Sequence, residues 1–298
     1  MRCFHPISVR EWQGDEVKRK TNSYHLVPCG KCVACLSRKR NDWTYRLQRE
    51  QAGSSYSFFL TLTYDEQNIP IRIVDNKPYF VFDKKHVQDY LKRVRYYISE
   101  LNEDIVCRYY CVSEYGKKTQ RPHYHMQFFV RNDNLLAYYK QVTKVLEANW
   151  KYGYFQRKPT NQANIHYVTK YCIKSLDELD PLCIDKTFIL CSKRPYLGEY
   201  AEQTLEKQHY EYPVVFVNGT RQAMPRIYRK KLGFGGVNIP ESVEDPRLSV
   251  TGYSEMLSAY KATHDKFNIY EFRTWVDSRF LKMETDSKRR QLTRNEKL

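Results

Sequence analysis

Residues 105–130, IVCRYYCVSEYGKKTQRPHYHMQFFV, decide the fold class of this chain. The stretch contains two runs rich in β-branched and aromatic residues, 105–113 and 123–130, and this composition is typical of buried strands. The polar residues 114–122 between them are typical of a hairpin-like connection. The stretch therefore predicts two neighbouring antiparallel strands.

The segments on either side predict the remainder of one sheet and its helices. Residues 56–64 and a short run at 153–155 are expected to be strands. Apolar periodicity and boundary residues predict helices at 36–52, 84–102, 134–150 and 161–175. This order of elements predicts an α+β fold, in which a central antiparallel sheet has helices packed on one face.

Three segments are expected along the chain. Residues 1–52 form a cysteine-rich, basic N-terminal segment, and residues 53–176 carry the sheet with its helices. Residues 177–298 form an accessory region of irregular α/β character, with a helical part expected at about 251–284.

The composition favours a soluble globular protein that binds a polyanion. Among 298 residues, 50 Lys and Arg outnumber 34 Asp and Glu, which gives a formal charge of +16. The 26 tyrosines offer stacking surfaces for unpaired bases, and a hydrophobic content of 41% argues against intrinsic disorder. Because no apolar run could cross a membrane and the first twenty residues lack a secretory apolar stretch, we expect neither membrane insertion nor export.

Four cysteines are candidate ligands of a structural zinc ion. Three of them lie at a spacing of three residues: Cys29, Cys32 and Cys35. Thiolates at this spacing in a reducing compartment are typical of metal binding, and zinc requires a fourth ligand. Cys3 is the first choice, with His5 or His25 as substitutes. Two other interpretations stay open: only two of the three clustered cysteines bind metal, or all are small buried thiols.

Two further patterns indicate catalytic chemistry. His123 and His125 lie at i and i+2 of the second strand, so their side chains project from the same face about 7 Å apart. Two imidazoles at that separation can bind one divalent metal ion and leave positions open for a substrate. Tyr167 and Tyr171 lie one turn apart in the predicted helix, and each is followed three residues later by a lysine: Lys170 and Lys174. The alternative for this helix is an amphipathic surface that covers a core.

These motifs resemble those of the HUH endonucleases, which include the rolling-circle replication initiators and the relaxases. His123-Tyr-His125 is similar to the metal-binding motif of that family, and residues 59–63, FLTLT, are similar to its first strand motif. The two Tyr-x-x-Lys copies are similar to its nucleophile motif. Residues 28–35, PCGKCVAC, resemble the replication initiators of gokushovirus-type microviruses, which are small single-stranded DNA phages. The resemblance covers about residues 28–175.

The resemblance implies a nicking and joining endonuclease within residues 53–176, built on an RRM- or ferredoxin-like sheet. In such an enzyme a tyrosine attacks the DNA and forms a covalent phosphotyrosine. Lysines beside it favour the phenolate or stabilise the phosphate. The catalytic residues implied for this chain are Tyr167, Tyr171, Lys170 and Lys174.

The resemblance also implies a divalent metal ion, Mg²⁺ or Mn²⁺, bound by His123 and His125. In the family a carboxylate or amide of the neighbouring strand often supplies the third ligand. Glu114 is well placed for this role at the end of the first strand, and Glu103 and Asp104 are the alternatives.

The function implied is rolling-circle replication. One tyrosine nicks single-stranded origin DNA and keeps the 5′ phosphate, the 3′-OH primes synthesis, and the displaced strand is later rejoined into a circle. The partners implied are origin DNA and the host replicative helicase and polymerase, in the cytoplasm of a bacterial host. A plasmid relaxase or transposase with the same chemistry is one alternative, and a non-catalytic single-stranded DNA-binding protein is another.

Overall fold

The structure of this chain is a computed structural model. It describes residues 3, 5–10, 24–116, 119–132, 138–171, 185–200, 214–217, 220–231, 250–264 and 269–296. The strands, in chain order, are β1 (Ile7–Arg10), β2 (Tyr24–Val27), β3 (Tyr56–Tyr64), β4 (Ile71–Val74), β5 (Lys77–Phe80), β6 (Val106–Tyr115), β7 (Pro122–Arg131), β8 (Gly153–Pro159), β9 (Ile189–Cys191), β10 (Val214–Val217) and β11 (Thr220–Ala223). The helices are α1 (Val33–Ala52), α2 (Lys84–Leu101), α3 (Tyr139–Ala148), α4 (Gln162–Lys170), α5 (Arg226–Lys231), α6 (Val250–Lys261) and α7 (Ile269–Glu296).

A five-stranded antiparallel sheet organises the middle of the chain. Its strands pair in the order β8-β3-β7-β6-β9. The predicted α+β fold with a central antiparallel sheet is confirmed, and the two strands first identified in the sequence, β6 and β7, are neighbours within it. The edge strand β9 is only three residues long, which is too short to show a periodic pattern.

Helices lie on both faces of this sheet, whereas the sequence predicted them on one. On one face, Leu60 and Met126 belong to a core that α2 and α3 complete. On the other, Val112 and Phe129 belong to a second core, which includes residues of α1 and α4. The second layer forms because β6 and β7 bury side chains on both of their faces over most of their length.

The pairing of β6 with β7 extends further than predicted. β6 continues to Tyr115 and β7 begins at Pro122, so Glu114 lies within a strand rather than in the connection. Glu114 is directly opposite His123 in the antiparallel register. The longer strands therefore fix a carboxylate beside an imidazole.

Helix α4 is shorter than the predicted 161–175. Asn161 and Asn164 form a capping box at its start, in which each side chain accepts a hydrogen bond from the backbone N–H of the other residue. The helix ends at Lys170, and Tyr171 is its C-cap. Of the predicted remainder, residues 172–175 lie outside the described residues.

The chain divides into two units that differ from the three segments predicted. One unit is residues 40–228, and the other combines residues 1–39 with 229–298. The first extends beyond 53–176 on both sides because the second half of α1 packs on the sheet and β9 pairs with β6.

The unit formed by residues 1–39 and 229–298 contains the β1–β2 hairpin and the helices α6 and α7. The helical part predicted at about 251–284 is thus two helices, and α7 extends to Glu296. Cysteines and apolar side chains form its core: Cys3, Cys32, Val33, Ala34, Cys35, Tyr260, Phe272, Val276 and Phe280. Over all the described ranges, no helix combines the length and the apolar character that crossing a membrane requires.

Candidate active site

Glu114, His123 and His125 bring three potential metal ligands together on one face of the sheet. The Oε2 atom of Glu114 lies 3.5 Å from Nε2 of His123 and 3.0 Å from Nε2 of His125. All three ligand atoms lie within 4.8 Å of one another. The alternatives Glu103 and Asp104 precede β6 at its other end, about 30 Å away by the rise of a strand, which excludes them from this cluster.

Hydrogen bonds behind the imidazoles orient both rings. Nδ1 of His123 lies 3.1 Å from the carbonyl oxygen of Arg121. A carbonyl only accepts, so Nδ1 carries the hydrogen of the neutral ring, and Nε2 turns a lone pair toward Glu114. Nδ1 of His125 lies 3.1 Å from the hydroxyl of Thr61. These partners are of the kind that fix metal-binding histidines in their coordinating orientation.

The facing donor atoms favour a cation between them. A lone pair of His123 and an ionised oxygen of Glu114 repel each other unless a proton or a metal ion lies between. Two imidazoles and one carboxylate are a donor set that divalent transition metals accept. The residues present therefore fit the divalent ion that the sequence analysis predicted.

Protonation states at the cluster also suit metal binding. Burial on its own would raise the pKa of Glu114, but hydrogen bonds with His123, His125, Tyr167 and Tyr171 outweigh it and hold the pKa of this carboxyl well below its ordinary range. Burial lowers the pKa of His125, against the opposing influence of Glu114. An ionised carboxylate and a neutral imidazole are the forms in which these side chains bind metal.

The two tyrosines line up behind one another at this cluster. The hydroxyl of Tyr167 donates to Oε2 of Glu114 at 2.6 Å and lies 3.4 Å from Nε2 of His125. The hydroxyl of Tyr171 donates to that of Tyr167 at 3.1 Å. Burial, and then the negative charge of Glu114, raises the pKa of both phenols, so both are protonated at neutral pH.

Lys170 places its ammonium group beside both phenols. Its Nζ atom lies 3.7 Å from the centre of the Tyr167 ring and 5.3 Å from that of Tyr171. A cation over an aromatic face is attracted to it, and here it also lies where negative charge would develop on a phenolate. Lys174, the other predicted lysine, lies outside the described residues.

Two residues of β3 support the site, and the sequence analysis assigned them no individual role. Phe59 stacks on the ring of His125 with centroids 5.3 Å apart, and it meets Tyr167 edge-on at 6.1 Å. Thr61 is the hydroxyl partner of His125. Both alternate on the same face of β3, and this period-two pattern within FLTLT is the signal that could have identified them.

The cysteines form a separate cluster within residues 1–39. The Sγ atoms of Cys3, Cys29, Cys32 and Cys35 all lie within 4.8 Å of one another, and each cysteine is free of disulfide bonds. His5, a predicted substitute, instead has Nε2 3.1 Å from Oε2 of Glu284. The side chain of His25, the other substitute, is outside what the structure describes.

Three replication-associated proteins of microviruses are similar to this chain. Replication-associated protein ORF2 of Spiroplasma virus 4 is 25% identical over 205 residues, covering 60% of this chain and 63% of that protein. Replication-associated protein ORF4 of Chlamydia phage 1 is 25% identical over 238 residues, with 71% and 56% covered. Replication-associated protein VP4 of Bdellovibrio phage phiMH2K is 26% identical over 256 residues, with 77% and 76% covered. The chain thus spans less than two thirds of the first two relatives.

A solved structure and a family model complete the comparison. The N-terminal nuclease domain of the non-structural protein 1 of Minute virus of mice aligns with 55% of this chain and 81% of that domain at 10% identity, but the TM-score of 0.20 is too low to indicate a common fold. The family model of replication-associated protein ORF2 matches residues 57–176, which include every predicted residue of the site that the structure describes. The predicted resemblance to phage replication proteins is therefore confirmed, and over residues 57–176 this chain is similar to the family of replication-associated protein ORF2.

Proposed function

We propose that this chain is a rolling-circle replication initiator of a single-stranded DNA phage, which nicks and rejoins origin DNA through tyrosine. The observation that carries the proposal is the hydrogen-bonded series from Tyr171 through Tyr167 to Glu114, with distances of 3.1 and 2.6 Å between the bonded oxygens. It brings two nucleophile candidates to a set of metal ligands. A protein that only binds single strands has no need of this juxtaposition.

In the nicking step, the Tyr167 hydroxyl oxygen attacks the scissile phosphorus. A bond between phosphorus and the phenol oxygen forms, and the bond from phosphorus to the 3′-oxygen breaks. The phenol releases one proton, for which the carboxylate of Glu114 is the nearest acceptor, and the departing 3′-oxygen takes one up. One phosphodiester replaces another, so a 3′-OH can reverse the reaction without an external energy source.

Positive charge at the site would stabilise the reacting phosphate. A divalent ion, Mg²⁺ or Mn²⁺, bound by Glu114, His123 and His125 would supply Lewis-acid stabilisation of its negative charge. Lys170, with its ammonium group 3.7 Å from the Tyr167 ring centre, would favour the phenolate form of that side chain. The imidazole ligands favour Mn²⁺ in affinity, whereas Mg²⁺ prefers oxygen ligands.

The second tyrosine suits a cycle that needs two strand transfers. After Tyr167 has become linked to the 5′ end, Tyr171 remains as a free hydroxyl one helical turn away. It could cleave the regenerated junction, and the released 3′-OH would then attack the first phosphotyrosine and close the displaced strand. In a bacterial host, the 3′-OH of the nicked strand would prime the host polymerase while a host helicase separates the strands.

The relatives favour this proposal over a plasmid relaxase or transposase. The chemistry would be the same in all three, but the similar proteins are replication-associated proteins of phages. The strong excess of basic residues in the chain is consistent with DNA as the partner.

A denaturing-gel assay for a covalent adduct tests the proposed function. Labelled single-stranded circular DNA of the phage is incubated with the protein in Mn²⁺, in Mg²⁺ or in EDTA. We expect a metal-dependent covalent band that the double variant Tyr167→Phe/Tyr171→Phe lacks and that the control variant Tyr97→Phe, altered in α2, retains. An adduct that persists in the double variant would refute the assignment, and salt-sensitive binding without any adduct would favour the non-catalytic alternative.

A further inference from the structure

The cysteine cluster joins two parts of the chain that are distant in sequence. Sγ of Cys3 lies 3.8 Å from Sγ of Cys32, and Sγ of Cys29 lies 4.0 Å from Sγ of Cys35. These separations are too long for disulfide bonds, which are about 2.05 Å. A tetrahedral zinc ion with Zn–S bonds of about 2.3 Å separates its sulfur ligands by about 3.8 Å. The observed distances therefore match the edges of a tetrahedral thiolate site.

Backbone N–H groups point at the sulfur atoms of this cluster. The N–H groups of Lys31 and Cys32 donate to Sγ of Cys29 at 3.5 and 3.3 Å, and the N–H of Cys29 donates to Sγ of Cys3 at 3.2 Å. Gly30 permits this tight loop with a φ of +74°, in the left-handed region that favours glycine. Because sulfur accepts hydrogen bonds best as a thiolate, these donors favour the charged, metal-binding form.

The surroundings of the cluster are apolar and closed. Cys3, Cys32 and Cys35 are buried, and the core they share includes Tyr260 of α6 and Phe272 of α7. Four thiolates without a charge-balancing partner would be costly in such an environment. A site with four protein ligands leaves no open position, which is typical of structural rather than catalytic zinc.

We propose that Cys3, Cys29, Cys32 and Cys35 bind one structural Zn²⁺ ion. The ion fixes the N-terminal segment to the start of α1, within the core that α6 and α7 complete. Its role is independent of the proposed nicking chemistry. Iron also accepts four tetrahedral thiolates, so its presence in place of zinc would overturn the assignment.

Metal analysis of the purified chain tests this proposal. We expect about one zinc per chain in the wild type, a loss of most of it in Cys32→Ser, and full retention in the control Cys191→Ser, whose cysteine lies in β9. Two measurements on the wild type cover a variant that fails to fold. Zinc should be released in step with modification of the thiols, and Co²⁺ in its place should give thiolate-to-cobalt charge-transfer absorption. Four freely reactive thiols in a folded, zinc-free wild type, or unchanged zinc in Cys32→Ser, would overturn the proposal.

A second inference follows from the register of the sheet. Tyr154 of β8 lies opposite Thr63 of β3, and Thr63 lies opposite His123 of β7. Directly paired residues project to the same face, so Tyr154 is on the face of the metal ligands, two strands or about 10 Å from His123. Its side chain is 63% exposed, which makes it an aromatic surface open to a ligand.

The same face of β8 continues with two more exposed polar residues. Gln156 and Lys158 follow Tyr154 at intervals of two, and both are exposed. The intervening residues belong to the other face, because Phe155 packs against the core there and Arg157 lies over the ring of Phe58. β8 therefore presents an aromatic ring, an amide and an ammonium group in one row.

We infer that Tyr154, Gln156 and Lys158 bind the single-stranded DNA next to the scissile phosphate. Tyr154 stacks on a base and Lys158 contacts a backbone phosphate, the two interactions by which single strands are usually held. The inference rests on the proposed function, since it identifies the substrate path to Tyr167. It makes these three residues positioning residues rather than catalytic ones.

Binding measured without catalysis tests this inference separately from the nicking chemistry. A fluorescent single-stranded oligonucleotide is titrated in EDTA and followed by anisotropy. We expect Tyr154→Ala to weaken binding about five- to hundredfold, with the affinity largely restored in Tyr154→Phe. The control Tyr96→Ala, 58% exposed on α2, should bind as the wild type does. If Tyr154→Ala binds normally while the wild type forms the adduct, the surface is wrong and the proposed function stands; absence of the wild-type adduct would refute the function itself.

Discussion

The two clusters of metal-binding side chains in this chain differ in how completely they surround an ion. Glu114, His123 and His125 supply three ligand atoms of mixed type, and the hydroxyl of Tyr167 lies at their margin. The cysteine cluster supplies four ligands of a single type inside an apolar core. An incomplete set leaves room for a phosphate and a nucleophile, whereas a complete set can only stabilise the fold. The comparison shows that ligand number and surroundings, not merely the presence of metal-binding residues, separate chemistry from structure.

Chelation should separate the two clusters most strongly. Brief treatment with EDTA is expected to abolish adduct formation, because a site with three ligands loses its ion readily. Mn²⁺ should restore the adduct, while the zinc content stays constant because four buried thiolates release their ion slowly. Adduct assays and metal analysis on the same samples check this. Zinc that is lost in parallel with activity would break the distinction between an open and a closed site.

Removing a hydrogen bond behind one ligand should have a smaller effect. Thr61→Val eliminates the hydroxyl 3.1 Å from Nδ1 of His125, so the imidazole is less firmly oriented. Loss of such a supporting hydrogen bond typically costs 10- to 100-fold in metal affinity or activity. The Mn²⁺ concentration that gives half-maximal adduct should rise accordingly in Thr61→Val. Thr63→Val, on the same face of the same strand, serves as the control and should leave it unchanged.

The smallest difference should be that between the two tyrosines. Tyr167 contacts Glu114 directly, whereas Tyr171 reaches the cluster through the Tyr167 hydroxyl. We therefore expect Tyr167→Phe to slow the first nick more than Tyr171→Phe does. Single-turnover rates of adduct formation measure this order. Equal rates in the two variants would mean that the hydrogen-bonded order does not determine which tyrosine attacks first.

Local sequence patterns were sufficient to predict the chemistry of the site but not its surroundings. The alternation in 123–130 placed His123 and His125 on one face, and the helical spacing placed Tyr167 beside Tyr171; the structure has both arrangements. The antiparallel register then sets Glu114 opposite His123, which composition indicates only when the strand ends are known. Within these segments, the periods of strand and helix are enough because the residues concerned are close in sequence.

Contacts between distant segments were not predictable in this way. The second helical layer arises where Leu47 of α1 and Ile165 of α4 meet the same sheet face, and periodicity identifies a helix without identifying the surface it covers. The core around Cys3 is completed by Phe272, which lies 269 residues later in the chain. No local pattern links two such positions, so the division into units also had to come from the structure.

Mass spectrometry of the adduct tests the central claim most directly. Trypsin cuts after Lys170, between the two tyrosines, so the two candidate nucleophiles appear on different peptides. After nuclease treatment of the DNA adduct, we predict a residual 5′-phosphonucleotide on the peptide that contains Tyr167 in the first turnover. The same mass on any peptide that contains neither Tyr167 nor Tyr171 would contradict the proposed nicking site.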